Sequence, residues 1–171
     1  MRTLAPPLYA PDKLMQAAEA AAKHSYSPYS LFAVGAALWA SPHTDTPPED
    51  WQLFTGTNIE NASYGLTICA ERVAVFNAVS TGNRHIHALA LWATPGLMQP
   101  SSAKTDQTQA QTENPGFKSD LFSPCGACRQ VLAEFMNPEA KIGFSLTPAE
   151  AERPADVKWY SLCELLPLAF A

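Results

Sequence analysis

Apolar positions along this chain switch between helical and strand-like rhythms. From Asp12 to His24, alanines and apolar residues recur at helical spacing behind Pro11, which predicts a helix. Ser25 to Ser30 breaks that pattern, and Leu31 to Ala40 follows as a continuous apolar run, expected as a strand buried on both faces. Gly35 inside it implies close backbone approach. Trp51 to Thr57 is a second strand, reached through a proline- and acid-rich loop, so the two strands form a long-looped hairpin. The polar stretch Asn58 to Ile68 reads as a loop that leads into Cys69. From there to Ser80, Val73, Val75, Phe76 and Val79 sit among good helix formers, and Thr81-Gly82-Asn83 ends the pattern, predicting a buried helix that starts at the cysteine. Ile86 to Ala93 is a third strand. Pro124 opens a further helix through Phe135 and Met136, stopped by Asn137-Pro138. Lys141 to Leu146 and Val157 to Tyr160 are the fourth and fifth strands, and Ser161 to Leu166 is a closing helical turn. Strands alternating with helices predict an α/β sandwich, and no internal repeat interrupts the series.

The length of 171 residues and 47% hydrophobic content predict one domain, residues 1–171, with loop insertions at about 41–50 and 94–119. The second insertion is rich in Gln, Thr, Ser, Pro and Gly, too polar to offset its ordering entropy, and is expected to be a mobile loop. A net charge of -5 argues against a protein that grips nucleic acid through its phosphates and favours a small-molecule substrate. The start of the chain shows no basic region followed by an apolar core, and no apolar run reaches membrane-spanning length. The expectation is a soluble cytoplasmic protein that does not engage membranes.

Four cysteines without an export signal favour metal or redox chemistry over disulfides. Cys125 and Cys128 stand three apart at a predicted helix start, on one side of its first turn. Cys69 has the same setting on the other helix. Unpaired N–H groups and the positive end of the helix dipole stabilise thiolates at both places. Three thiolates, no convincing fourth ligand and the carboxylate of Glu71 fit a catalytic zinc with an open water position. Glu71 is poorly spaced to share the ligand direction of Cys69 and well spaced to meet the water. A redox pair would leave Cys69 and Glu71 unused. Arg72 can donate to the sulfurs and draw off their excess negative charge. His24, His43, His85 and His87 read as solvated residues in loops or at element ends, and Cys163 as a small buried hydrophobe.

Cys-Ala-Glu followed by Pro-Cys-x-x-Cys is the pattern of zinc nucleobase deaminases. With SPYSLFAVGAAL, TGTNIENASY, ICAERVAVF, SPCGACRQVLAEF and LLPLAF, which run from Ser27 to Phe170, the chain resembles the small homotetrameric cytidine deaminases of pyrimidine salvage. The resemblance implies a three-layer α/β/α sandwich with a five-stranded mixed sheet, one Zn2+ per subunit on Cys69, Cys125 and Cys128, and Glu71 as the proton shuttle. It matches Asn58 and Glu60 to residues that bind ribose hydroxyls; a turn capped by Asn side chains is the alternative. Phe32 matches an aromatic beside the substrate and equally fits a core position. Ala70 falls among the substrate-site residues, Tyr64 matches a family interface position near the site, and Phe170 matches an aromatic that covers the base bound by a neighbouring subunit; routine surface or packing aromatics are the alternative for Tyr64 and Phe170. Leu31 stands where many relatives carry Lys, and Ala33 replaces a common Pro.

The implied reaction is hydrolytic deamination of cytidine and 2'-deoxycytidine to the uridines and ammonia. Two alternatives are a deaminase of modified or antibiotic cytosine nucleosides of the blasticidin S type, and a non-catalytic zinc-stabilised assembly module. Asn58, Glu60 and Phe170 favour plain nucleosides over the first, and Glu71 disfavours the second.

Overall fold

A computed structural model describes residues 10–95, 122–146 and 157–170. Among these residues the predicted rhythms form helix α1 (Pro11–Ala22), strands β1 (Phe32–Ser41) and β2 (Gln52–Thr57), helix α2 (Ala70–Ser80), strand β3 (His85–Pro95), helix α3 (Gly126–Phe135), strands β4 (Met136–Leu146) and β5 (Lys158–Ser161), and a short helix α4 (Leu162–Leu165). The sheet order is β2-β1-β3-β4-β5. The β3–β4 pair is parallel and the other three pairs are antiparallel, so the sheet is mixed as expected.

Burial explains why β1 lacks an alternating pattern. On one face Ala37 joins Ala88, Ala90 and Trp92 of β3 against Leu14, Met15, Ala18 and Ala22 of α1. On the other, Ala36 and Leu38 join Leu89, Leu91 and Ile142 against Ala74, Val75 and Ala78 of α2 and Leu132 of α3. Helices therefore cover both faces and make the three layers. The small residues of β1 set how closely α1 can lie. A Cβ built on Gly35 would stand 1.9 Å from Ala18 O and 2.4 Å from Ala22 N, both backbone atoms that cannot swing aside. Gly35→Ala is therefore expected to cost about 3 kcal/mol by overpacking, read as a lower urea midpoint at unchanged slope; a midpoint equal to that of the unsubstituted protein would contradict this packing.

Several boundaries differ from expectation. β3 continues through Thr94 and Pro95 because Phe32 and Ala33 of β1 remain available to pair with them; the rest of the expected 94–119 loop lies outside the described residues. β4 begins at Met136, not Lys141, because Met136 pairs with Ile86 across an irregular stretch that accommodates Pro138. The 41–50 loop holds a short 3-10 turn at Pro48–Asp50. Cys163 is only half-buried, and its Sγ lies 3.1 Å from Ser161 Oγ and 3.4 Å from Glu139 Oε1. His85 and His87 lie within β3. His87 stacks on Trp51 at 3.8 Å, with Nε2 2.7 Å from Ser41 Oγ. Burial, and secondarily the charge of His85, lowers its pKa to about 4, so solvation is not its role.

Candidate active site

The candidate metal ligands owe their positions in part to close packing of α2 on the sheet. A Cβ on Gly56 of β2 would meet Ala74 N at 2.3 Å and Ala70 O at 2.6 Å, so glycine there lets the first turn of α2 lie directly on the strand. Cys69 is the N-cap of α2 and Cys125 the N-cap of α3, both extended in backbone, and neither uses its sulfur to cap the helix. The expected start of α3 at Pro124 shifts accordingly, leaving Pro124 and Cys125 ahead of the helix. The main-chain carbonyls of Cys69 and Cys125 accept from Val73 N at 3.2 Å and Arg129 N at 3.0 Å respectively, closing the first turns and leaving both thiols available.

Cys69 comes together with Cys125 and Cys128 although 56 positions separate it from the nearer of the two. Cys69 Sγ is 3.9 Å from Cys125 Sγ, and Cys125 Sγ is 3.4 Å from Cys128 Sγ. All three sulfurs lie within 4.8 Å of one another. Tetrahedral zinc with thiolate bonds near 2.3 Å places sulfurs about 3.8 Å apart, so these residues fit that ion. Among the described residues no fourth Cys, His, Asp or Glu joins the cluster, as a catalytic rather than a closed structural site requires.

The electrostatics are those of a crowded anionic centre. A hydrogen bond from the Cys128 thiol, supported by Arg72 and Cys125, lowers the pKa of Cys69 to about 5 against the cost of its burial. That same shared bond, with burial and the nearby Glu71 charge, drives Cys128 upward. Arg72 Nη2 donates to Cys69 Sγ at 3.6 Å and to Thr67 O at 3.2 Å. Its own pKa rises chiefly through the bond to Cys69. Glu71 is 5% exposed, and burial, with a smaller contribution from the Cys69 charge, raises it to about 7. A carboxyl with that value can both accept and return a proton near neutral pH.

Asn58 is buried and bonded to β1. Its Oδ1 accepts from Val34 N at 2.9 Å and its Nδ2 donates to Phe32 O at 2.8 Å, an assignment fixed because a main-chain N–H can only donate and a carbonyl only accept. Ser25 Oγ also donates to Asn58 Oδ1, at 2.5 Å. The local turn cap belongs to Asn61, whose Oδ1 accepts from Ser63 N. Glu60 Oε2 accepts from the main-chain N–H groups of Tyr29 and Ser30 at 2.9 and 3.2 Å. Ile59 pairs with both Tyr26 and Ile68, which ties this loop to the residue preceding Cys69. Phe32 is half-buried beside Phe122, ring centroids 6.1 Å apart, and Ala70 is fully buried in the first turn of α2.

Tyr64 and Phe170 are 74% and 91% exposed. Tyr64 meets Tyr29 edge-on at 5.7 Å. Ser25, Tyr29 and Ser30, which support Asn58 and Glu60, carry no signal of that role in the local sequence. Their bonds span about thirty residues, beyond the reach of any local pattern.

A family model described as the cytidine and deoxycytidylate deaminase zinc-binding region matches residues 9–143. A cytidine deaminase from Sporosarcina psychrophila is 38% identical over 160 residues, covering 94% of this chain and 90% of that protein. One from Halalkalibacterium halodurans is 37% identical over 157 residues, 92% and 91% of the two chains. Among solved structures, cytidine deaminase from Burkholderia pseudomallei matches with a TM-score of 0.63 at 34% identity, covering 93% of this chain and 98% of that one. The enzyme from Mycobacterium tuberculosis matches with a TM-score of 0.58 at 34% identity, covering 94% and 96%.

Proposed function

The chain belongs to the zinc-binding cytidine and deoxycytidylate deaminase family, and from that membership we propose that it hydrolyses cytidine and 2'-deoxycytidine to uridine and 2'-deoxyuridine with release of ammonia. The observation that carries this reading is the buried carboxyl of Glu71 beside three clustered thiols. Cys69, Cys125 and Cys128 would hold the ion. When bound, zinc supplies Lewis acidity that makes a neighbouring water nucleophilic near neutral pH.

The remaining chemistry is assigned to the chain's own side chains. Glu71 takes one proton from the attacking water and gives it to ring N3 as the oxygen adds at C4; it then takes the second proton from the new C4 hydroxyl and gives it to the leaving amine, so the C4–N4 bond breaks, C4 becomes a carbonyl, and the products are uridine and ammonia. Arg72 offsets the charge of the thiolates. Helix-start N–H groups, including that of Ala70, favour the charge that develops during addition. Phe32 contacts the base. Asn58 and Glu60 bind the sugar: with its carbonyl oxygen committed to Val34 and Ser25, Asn58 has an amide hydrogen to offer, and Glu60 keeps Oε1 as an acceptor. A donor and an acceptor together suit a hydroxyl, which can do both.

The protein is further read as a cytoplasmic homotetramer acting in pyrimidine salvage, with sites shared between subunits. Support for assembly comes from large apolar side chains left bare on one chain: Tyr64, Leu66 at 65%, Leu168 at 93% and Phe170. Among the described residues no helix is long and apolar enough to cross a membrane.

A substrate panel tests the function. Cytidine and deoxycytidine should be turned over, and free cytosine and bulky N4-substituted analogues should be poor substrates. Turnover confined to the N4-substituted compounds would replace the reading with the modified-nucleoside alternative. Zinc-replete protein inactive on every pyrimidine nucleoside would leave only an assembly role.

A further inference from the structure

The two residues that follow Cys128 on α3 both reach forward to the chain beyond β5. Arg129 Nη1 donates to Leu165 O at 2.6 Å, and Gln130 Nε2 donates to Phe170 O at 2.6 Å. These bonds span 36 and 40 residues and end on main-chain carbonyls. Between them the segment carries Leu168 and Phe170, whose side chains are 93% and 91% exposed. An untethered stretch with two large apolar side chains would gain by folding them onto its own surface. Here the backbone is pinned and the side chains stay bare.

We propose that Arg129 and Gln130 are positioning residues that tether segment 165–170 to the metal-binding end of α3 and so fix where Phe170 is presented to a second copy of the chain. The inference rests on the shared-site reading above and adds the element that sets the geometry of sharing. Bonds to carbonyls read no side chain, so the tether fixes position while the Phe170 ring stays free for the neighbouring site. Placement on α3 matters as well. Cys128, Arg129 and Gln130 are consecutive, so the donors that hold the segment are rigidly related to a thiol of the metal cluster. The position of Phe170 is thereby referenced to the metal site of its own subunit, and the assembly transmits that reference to the next.

The tether requires a donor at position 130, which separates it from a packing role. Gln130→Glu keeps the shape and sets oxygen against oxygen; Gln130→Met keeps the length and removes the donor. In the zinc-loaded full chain, each is expected to raise KM for cytidine about fivefold, the scale of one net hydrogen bond, with kcat within twofold. Phe170→Ala should raise KM similarly, and adding Gln130→Met to it should produce no further loss, because the tethered ring is already gone. Hydrogen exchange at the amides of residues 168–170 should be faster in Gln130→Met than in the unsubstituted protein. Unchanged exchange and KM in Gln130→Met, or fully additive losses in the double variant, would overturn the tether. Should Gln130→Glu fail to fold, Gln130→Met carries both measurements. Phe170→Ala with unchanged KM would instead overturn the shared-site reading itself.

Discussion

Glu71→Gln is expected to lower kcat for cytidine by roughly 10³-fold, within the range for losing a positioned general acid–base group, while zinc content stays at the level of the unsubstituted protein. The substitution keeps the volume and planar shape of a side chain that is 5% exposed, so it opens no cavity. What it removes is the ability to take and return protons. The carboxyl is held near 7 mainly by burial, and burial in turn carries a stability cost that the neutral amide does not incur. Melting temperature should therefore be unchanged or higher in the variant. Loss of activity with retained fold and metal distinguishes a proton carrier from a structural carboxylate. Turnover within tenfold of the unsubstituted protein would remove Glu71 from the chemistry.

Cys128→Ala should act differently, abolishing turnover and lowering stability together. Cys128 is fully buried at the convergence of the two helix starts, and its sulfur lies 3.4 Å from that of Cys125. Without it two thiols remain, and zinc content should fall from about one per chain to less than about a tenth. Binding energy that was folding energy is then lost, so the melting temperature should drop. Dialysis of the unsubstituted protein against a strong chelator should reproduce both effects, and added Zn2+ should reverse them. Full zinc content and activity in Cys128→Ala would show that the three-cysteine cluster is not the metal site.

Much of this site was legible because its chemistry sits in short motifs. The spacing of Cys125 and Cys128 at a helix start, with Cys69 and Glu71 at another, is enough to name the cluster. β1 was legible for a similar reason: burial on both faces leaves an unbroken apolar run. Strand ends were less so. Asn137-Pro138 reads as a stop, yet β4 begins at Met136, because partner registry across an irregular stretch outweighs the lost donor of one proline. His87 looked solvated because its stacking partner, Trp51, lies in another part of the chain. The supports of Asn58 and Glu60 were invisible for the same reason: Ser25, Tyr29 and Ser30 are tertiary partners that no local periodicity announces.

The exposure of Tyr64 and Phe170 marks the other limit of a single chain. Sequence resemblance assigns them to a site, whereas one copy leaves their rings in solvent. Both observations agree if a neighbouring subunit completes the pocket. Light scattering should then report a tetramer, and a monomer that deaminates cytidine at full rate would contradict the shared site.

The most direct measurement follows cytidine consumption, uridine formation and ammonia release on one protein sample whose zinc content is determined in parallel. The account predicts uridine and ammonia in equal amounts, about one zinc per chain as three thiolate ligands and an open position imply, and activity that disappears on chelation and returns with Zn2+. Zinc-replete protein that leaves cytidine and deoxycytidine unchanged, or equal turnover after zinc has been stripped, would contradict it.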